Sequence, residues 1–313
     1  MQKLVGLENL PDAFGVKLED NFRKALFNKG ASMVGGVRKL ALLLNCDRTA
    51  IWQWKTGKIL TKIDLLKKLS KITKTDLEKI ESKIIAIRSK RKRNEDFIKI
   101  KFPIFSSSEL SLIIGKGMGD GSLSKKQFSY FNQSRFLINE TIDNMKTIFS
   151  DDINPEEFEK DDGWEIEFPT NVGKLLSLAG APLGEKVELD FVIPSWVRNG
   201  DLEIKSKFLR ALFDDEAYVD VEGKTIVFGM SKKEELLDSL KKFLNGLREL
   251  LNEFKIETNP LRKPQLNESG TYQIYFSLKN YLQNIVNFRE KIGFTDVEKS
   301  KKLLNIITKQ INS

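Results

Sequence analysis

The 313-residue chain contains no histidine and a single cysteine, Cys46. Without histidine there is no imidazole base, no His-dependent triad and almost no route to ordinary catalytic zinc. One cysteine allows neither an internal disulfide nor a Cys-based zinc site. Any chemistry must therefore run on carboxylates, lysines and hard metal ions. Two acids stand out by their place. Asp120 follows Ile113-Ile114-Gly115-Lys116-Gly117-Met118-Gly119, and Glu216 follows Leu209-Arg210-Ala211-Leu212-Phe213-Asp214-Asp215. They lie 96 positions apart (216 minus 120), each at the end of a helical stretch.

The elements that must position these acids come in two similar passes from Phe102 onward. Each pass begins with a helix, Ser106 to Gly119 and then Glu203 to Asp215. Ser106 with Glu109 reads as a capping box, and Asp201 can cap the second helix. Strand-like alternation follows in Phe128 to Phe131 and Trp164 to Phe168, then in Thr225 to Phe228 and Tyr272 to Phe276. Helices close each pass. The stretch begun by Phe168 ends in Leu183-Gly184-Glu185-Lys186, and that begun by Phe276 ends in Asp296-Val297-Glu298-Lys299. A duplicated αββαββα-like unit accounts for this pattern, with repeats over residues 103–198 and 199–313.

Both acid-tipped stretches resemble the LAGLIDADG motif of homing endonucleases and intein endonucleases, and the second is the closer match. The resemblance covers residues 103–313. It implies an α+β fold whose two repeats form a pseudo-two-fold core with a DNA-binding saddle. Small residues one helical turn apart, Gly115 and Gly119 facing Ala211, let the two helix backbones approach closely. The last acid of each motif then falls beside the two-fold axis. Two carboxylates so near each other repel unless a cation lies between them, and Mg²⁺ (or Mn²⁺) fits that need. Asp120 and Glu216 are thus the expected catalytic and metal-binding acids, with Gly119 and Asp215 beside them in the metal-binding set. Lys186 and Lys299, matched at the repeat ends, are expected to steady the attacking water or to be surface lysines. Lys125, Lys126, Gln127, Lys224, Thr225, Arg262, Lys263 and Gln273 are candidate DNA contacts on the strands. Phe128, Tyr130, Trp164 and Phe228 are expected to pack against the helices. The chain departs from the motif at Met118, at Asp215 (where a small residue is usual) and at Ala217 and Tyr218.

Residues 1–87 read as an all-α domain, with amphipathic stretches at Val37 to Leu44, Thr49 to Lys55 and Ile63 to Ile72. Val37 through Lys58 resembles the helix-turn-helix of Cro/repressor-type proteins. Ala41 is small where the helices cross, Asn45 suits a left-handed turn residue, and Asp47 can cap the second helix. Cys46 plugs the turn as a small hydrophobe, Ile51 and Trp54 face the core, and Gly57 ends the helix. Arg48, Thr49, Trp52, Gln53 and Lys55 are left on or beside the exposed face. Arg48 and Gln53 suit base edges, and Thr49 and Lys55 suit phosphates. Arg88 to Arg93, with five cations in six positions, reads as a helix end entering a solvated basic linker over residues 88–102.

Lys and Arg outnumber Asp and Glu by 52 to 44, which fits a polyanionic partner. No apolar run reaches the roughly 18 residues that span a bilayer, so an intracellular protein is expected. No splicing nucleophile begins the chain and no penultimate histidine exists, so a free-standing protein is expected, monomeric because one chain supplies both repeats. The leading expectation is a site-specific, Mg²⁺-dependent hydrolase of double-stranded DNA of the homing type. Two other readings stay open: a non-catalytic transcription regulator on the same scaffold, and an RNA maturase or RNA-processing nuclease.

Overall fold

The computed structural model describes residues 1–12, 14–88, 98–124 and 127–312. These form two units, one of Met1–Phe105 with Lys146–Ile153 and one of Ser106–Met145 with Asn154–Ser313.

The first unit begins with strands β1 (Lys3–Val5) and β2 (Gly15–Leu18). Helices α1 (Asp20–Val34), α2 (Val37–Leu43) and α3 (Arg48–Thr56) follow. Strand β3 (Thr61–Lys62) leads into α4 (Ile63–Thr73) and α5 (Leu77–Glu81), and then come β4 (Ile84–Arg88), β5 (Ile98–Lys99) and β6 (Ile104–Phe105). The three expected amphipathic stretches are helices, but the unit is not all-α. Strands β3-β2-β4-β5 form one sheet and β1-β6 another. Gly15–Leu18 is too short to declare a period, and it becomes a strand only by pairing with Ile84–Arg88 some seventy residues away. Arg88 accordingly ends a strand rather than a helix. Strand β5 turns back antiparallel along β4, with Ala86 opposite Lys99, so both flanks of the basic run belong to one sheet. The run beyond Arg88, residues 89–97, lies outside the described residues.

The turn between α2 and α3 follows from its residue types. Asn45 takes a left-handed φ of 52°, Asp47 accepts the Ala50 amide at 2.7 Å, and Gly57 closes α3 at φ 77°. Leu40, Ala41, Ile51 and Trp54 are buried between the helices. Buried Arg23 from α1 donates to the Lys55 and Leu18 carbonyls at 3.2 and 3.1 Å, which ties the end of α3 to the sheet.

The second unit repeats one pattern. Its first pass is α6 (Ser108–Met118), β7 (Ser122–Leu123), β8 (Phe128–Asn132), α7 (Arg135–Ile148), β9 (Glu156–Lys160), β10 (Gly163–Glu167) and α8 (Thr170–Leu178), followed by the short α9 (Ser195–Arg198). The second is α10 (Leu202–Glu216), β11 (Ala217–Asp220), β12 (Thr225–Lys232), α11 (Leu237–Glu253), β13 (Gln265–Leu266), β14 (Tyr272–Ser277) and α12 (Leu282–Lys291), with α13 (Val297–Ile311) after it. Both sheets have the same order, β7-β8-β10-β9 and β11-β12-β14-β13. The register repeats as well. The Phe168 amide bonds the Phe128 carbonyl at 2.8 Å, and the Leu278 amide bonds the Ile226 carbonyl at 2.9 Å in the matching place. Tyr130 opposite Ile166 therefore corresponds to Phe228 opposite Phe276.

Each sheet buries one face. Phe128, Tyr130 and Ile166 in the first, and Phe228 and Phe276 in the second, have no measurable exposure. Phe213 of α10 stacks into the second group, 4.9 Å from Phe228 and 5.1 Å from Phe288 between ring centroids. Each such ring withdraws enough apolar surface to stabilise the fold by roughly 2–3 kcal/mol. Asp201 caps α10 through the Ile204 amide at 2.9 Å. Helix α6 is capped one residue later than expected. Ser107, not Ser106, accepts the Leu110 amide, which frees Ser108 to donate to Glu203 at 3.0 Å. Among the described residues, no helix is long and apolar enough to cross a membrane.

Candidate functional site

Helices α6 and α10 cross where their side chains vanish. A Cβ on Gly115 would stand 2.8 Å from both the Ala211 Cβ and the Phe208 carbonyl oxygen, so backbone meets backbone there. Upstream the pair is stitched by Ser111, whose hydroxyl donates to the Ile204 carbonyl at 2.8 Å. One turn beyond the crossing, a Cβ on Gly119 would fall 2.5 Å from Asp215 Oδ2. The missing side chain is the space that Asp215 fills.

This crossing delivers Asp120 and Glu216 into one electrostatic neighbourhood. Loss of hydration, then the charge of Asp120, pushes Glu216 up to about 7. Loss of hydration, then the charge of Asp215, pushes Asp120 up to about 6 although its side chain keeps an open face. Lys186 and Lys299 both pull the two acids back down, so all four side chains lie within reach of one another's charge. Lys186 sits in a single helical turn at Lys186–Glu188. Its carbonyl, with that of Leu189, accepts from buried Lys232, and the Leu189 bond is 2.7 Å. Lys299 lies in the first turn of α13, whose Asp296 caps its amide at 2.7 Å. Its ammonium donates to the Phe213 and Asp214 carbonyls at the end of α10. Asp214 is buried and accepts from the Thr295 and Asp296 amides, which fixes the loop ahead of Lys299.

Three polar residues around Asp120 escaped the reading of the sequence. Lys116 is fully buried in α6, and its ammonium reaches the Tyr130 hydroxyl at 2.9 Å and Asp215 Oδ1 at 3.3 Å. The Tyr130 hydroxyl donates to Asp215 Oδ1 at 2.7 Å. Asp215 Oδ2 accepts the Asp120 amide at 3.0 Å. Asn132 donates to Asp120 Oδ2 and to the Tyr130 hydroxyl, both at 3.3 Å. A signal did exist. Lys116 is a cation inside an apolar helical run, and Asp215 is an acid where the motif keeps a small residue, so the two departures complement each other.

The donors suit a hard cation. Two neighbouring carboxylates whose proton affinities are both raised, one in part by the charge of the other, are a place where positive charge is stabilised, and every candidate donor is oxygen. The carbonyls of Gly119 and Asp215 stand at helix ends, where backbone oxygens lose their intrahelical partners. The Asp215 carboxylate is a different matter. Both of its oxygens are engaged inside the fold, so only its backbone oxygen can join such a set. Among the described residues no group of three or more acidic or sulfur side chains converges, so the fit rests on the two acids and these carbonyls.

The nucleic-acid candidates separate by exposure. Arg48, Thr49 and Trp52 are exposed on α3, with Lys58 lying 4.2 Å from the Trp52 ring centroid, while Gln53 and Lys55 are half-buried. Cys46 is half-buried and burial raises its thiol pKa, in keeping with a packing role. Arg262 and Lys263 are exposed before β13, Lys224 sits in the β11–β12 turn, and Gln127 and Gln273 are half-buried. Thr225 does not fit the expectation. It is buried, and its hydroxyl donates to the Leu278 carbonyl at 2.6 Å because the strand needs a partner there. Lys125 and Lys126 lie outside the described residues. The two outer sheet faces also differ in charge. The register places Glu165 and Glu167 of β10 beside Glu156 of β9 on the first, whereas the second presents Tyr275, Gln273 and Gln265. Phe128, Tyr130 and Phe228 pack inward as expected, and half-buried Trp164 lies 5.8 Å from the Arg135 guanidinium.

A twice-repeated αββαββα fold crossing on two acid-tipped helices is the class of protein these features define. Residues 203–293, covering α10 through α12, match the LAGLIDADG-like domain family. The chain is 28% identical over 230 residues to the DNA-directed RNA polymerase subunit Rpo1N of Methanocaldococcus jannaschii, covering 63% of this chain and 16% of that protein. It is 24% identical over 244 residues to the tRNA-splicing ligase RtcB of Methanopyrus kandleri, covering 71% of this chain and 24% of that protein. It therefore spans a quarter or less of these relatives' length. Among solved structures, I-DmoI in complex with DNA and Mn aligns with a TM-score of 0.40 and 14% identity, over 59% of this chain and 96% of that one. The N-terminal LAGLIDADG domain of DUF199/WhiA aligns with a TM-score of 0.39 and 17% identity, over 61% and 86%.

Proposed function

We propose that this chain is a metal-dependent DNA endonuclease of the homing type, hydrolysing one phosphodiester in each strand of a duplex. The observation that supports the reading is that Asp120 and Glu216 are both raised at the crossing of α6 and α10, Glu216 in part by the charge of Asp120, with Lys186 and Lys299 in the same field. In this reading Asp120 and Glu216 hold the metal, one acid serving each strand, together with the Gly119 and Asp215 carbonyls. A bound Mg²⁺ supplies positive charge against the scissile phosphate and makes a water acidic enough to attack. Lys186 and Lys299 steady the attacking water and the charge that grows on the phosphate. The half-repeats, 103–198 and 199–313, lay their sheets on the DNA. Residues 1–87 extend the recognised site by setting α3 in the major groove as the reading helix of a helix-turn-helix, with Arg48 and Gln53 toward base edges. The chain acts as an intracellular monomer. That a polymerase subunit and an RNA ligase share this stretch, each over a minor part of its length, supports a module separate from either named activity, as a mobile homing element would be.

The test is cleavage of a randomised plasmid library with Mg²⁺, beside Ca²⁺ as a control for binding without cutting. Discrete double-strand breaks at one sequence family are expected. Asp120→Asn with Glu216→Gln should abolish cutting and leave binding, and full activity in that double variant would sink the proposal. Sequence-dependent binding with no product in any metal would point to a non-catalytic regulator. Tighter binding to structured RNA than to duplex at equal salt would point to an RNA-directed protein.

A further inference from the structure

Along the helix crossing the two repeats differ at several positions, and one set of differences forms a polar cluster around the first acid. The 96-residue offset pairs Asp120 with Glu216, Lys116 with Leu212 and Gly119 with Asp215. The strand register pairs Tyr130 with Phe228. The second repeat is thus apolar where the first buries a lysine and a tyrosine. Taking an ammonium out of water costs several kcal/mol unless partners compensate it, and Leu212 shows that an apolar residue fits the equivalent place. The cluster reaches Asp120 twice, by different atoms. Asp215 Oδ2 holds its backbone amide at 3.0 Å, and Asn132 holds its carboxylate at 3.3 Å. Asn132 is itself oriented, since its Oδ1 accepts the Ser134 amide at 2.9 Å, which turns Nδ2 toward Asp120. Among the described residues, no side-chain hydrogen bond reaches the Glu216 carboxylate.

We propose that Lys116, Tyr130, Asp215 and Asn132 are positioning residues for Asp120 alone, and that they make the two metal-binding half-sites unequal. The inference rests on the assignment of Asp120 and Glu216 as metal-binding acids. Lys116 and Tyr130 hold the Asp215 carboxylate directed at the Asp120 amide, and Asn132 limits the rotation of the Asp120 carboxylate. Asp120 is therefore pre-organised for a cation, whereas Glu216 must be ordered by the cation it binds. The strand served by Asp120 is cut first, and a nicked duplex accumulates before the second cut.

The experiment is a Mn²⁺ titration read by electron paramagnetic resonance on the full chain, alone and with duplex DNA, for wild type, Tyr130→Phe and Asn132→Ala. Phenylalanine occupies the equivalent position in the second repeat, and Asn132 is half-buried at a strand end, so both variants should keep the fold. Wild type should show two classes of site. Each variant should weaken the tighter class about tenfold and leave the weaker one in place. Strand-resolved nicking with Mn²⁺ gives a second readout, in which one strand slows and the other keeps its rate. Equal loss at both classes, or on both strands, would show a merely structural role and overturn the inference. Two Mn²⁺ sites unaffected by either variant would overturn it while leaving the metal assignment intact. No Mn²⁺ binding by wild type would overturn that assignment and this inference with it.

Discussion

Replacing Glu216 with glutamine tests whether the two acids form an electrostatically strained pair. The carboxyl is raised from a usual 4.5 to about 7, first by loss of hydration and then by Asp120. At 1.36 kcal/mol per pH unit this is roughly 3 kcal/mol of destabilisation in the ionised, metal-free protein. Glu216 is only half-buried, and solvent screening brings the figure to about 1–2 kcal/mol. The sign follows from linkage. Between those two pH values the folded chain keeps a proton that the unfolded chain has lost. Stability therefore falls as pH rises from about 4.5 to about 7 and stays low above it. Glutamine carries no such charge. In denaturant unfolding with a chelator at pH 8, Glu216→Gln should be more stable than wild type by about 1–2 kcal/mol, and near pH 4 the two should coincide. Adding Mg²⁺ should reverse the order at pH 8, because an ion at a hundred times its dissociation constant stabilises wild type by about 2.7 kcal/mol. A variant no more stable than wild type at pH 8 without metal would refute the reasoning, since the pair would then hold no repulsion for a cation to relieve.

Other outcomes follow from the same geometry. Gly115→Ala puts a methyl 2.8 Å from the Ala211 Cβ and the Phe208 carbonyl, so it should cost about 1–3 kcal/mol; a lower denaturant midpoint at unchanged slope is the reading to expect. Neutralising Glu165 and Glu167 together as glutamines removes negative charge from the outer face of the first sheet. Duplex affinity should rise several-fold at low salt, by an amount that shrinks as salt increases. Weaker binding would mean instead that these carboxylates touch the nucleic acid favourably.

Much of the second unit was legible because its signals are local and given twice. Glycines a helical turn apart, an acid at each helix end and strand-like alternation at matching offsets define a repeat without reference to any contact. The turn before α3 was legible for the same reason: Asn45, Asp47 and Gly57 each declare a backbone state by residue type alone. The acidic strand Glu156–Lys160 was not legible, since five exposed residues with four of them charged carry no burial pattern, and only pairing with β10 makes them a strand. The strands Gly15–Leu18 and Ile84–Arg88 stayed hidden because each finds its hydrogen-bond partners in the other. The cluster at Asp120 lies deepest. Its lysine, tyrosine, asparagine and aspartate come from two helices and a strand up to 99 residues apart, and each is unremarkable in its own segment. By itself the sequence determined which residue types could do chemistry and that the unit holding them occurs twice. The tertiary structure decided that the two copies are unequal, because a buried charge tolerates its site only where partners from distant segments arrive together.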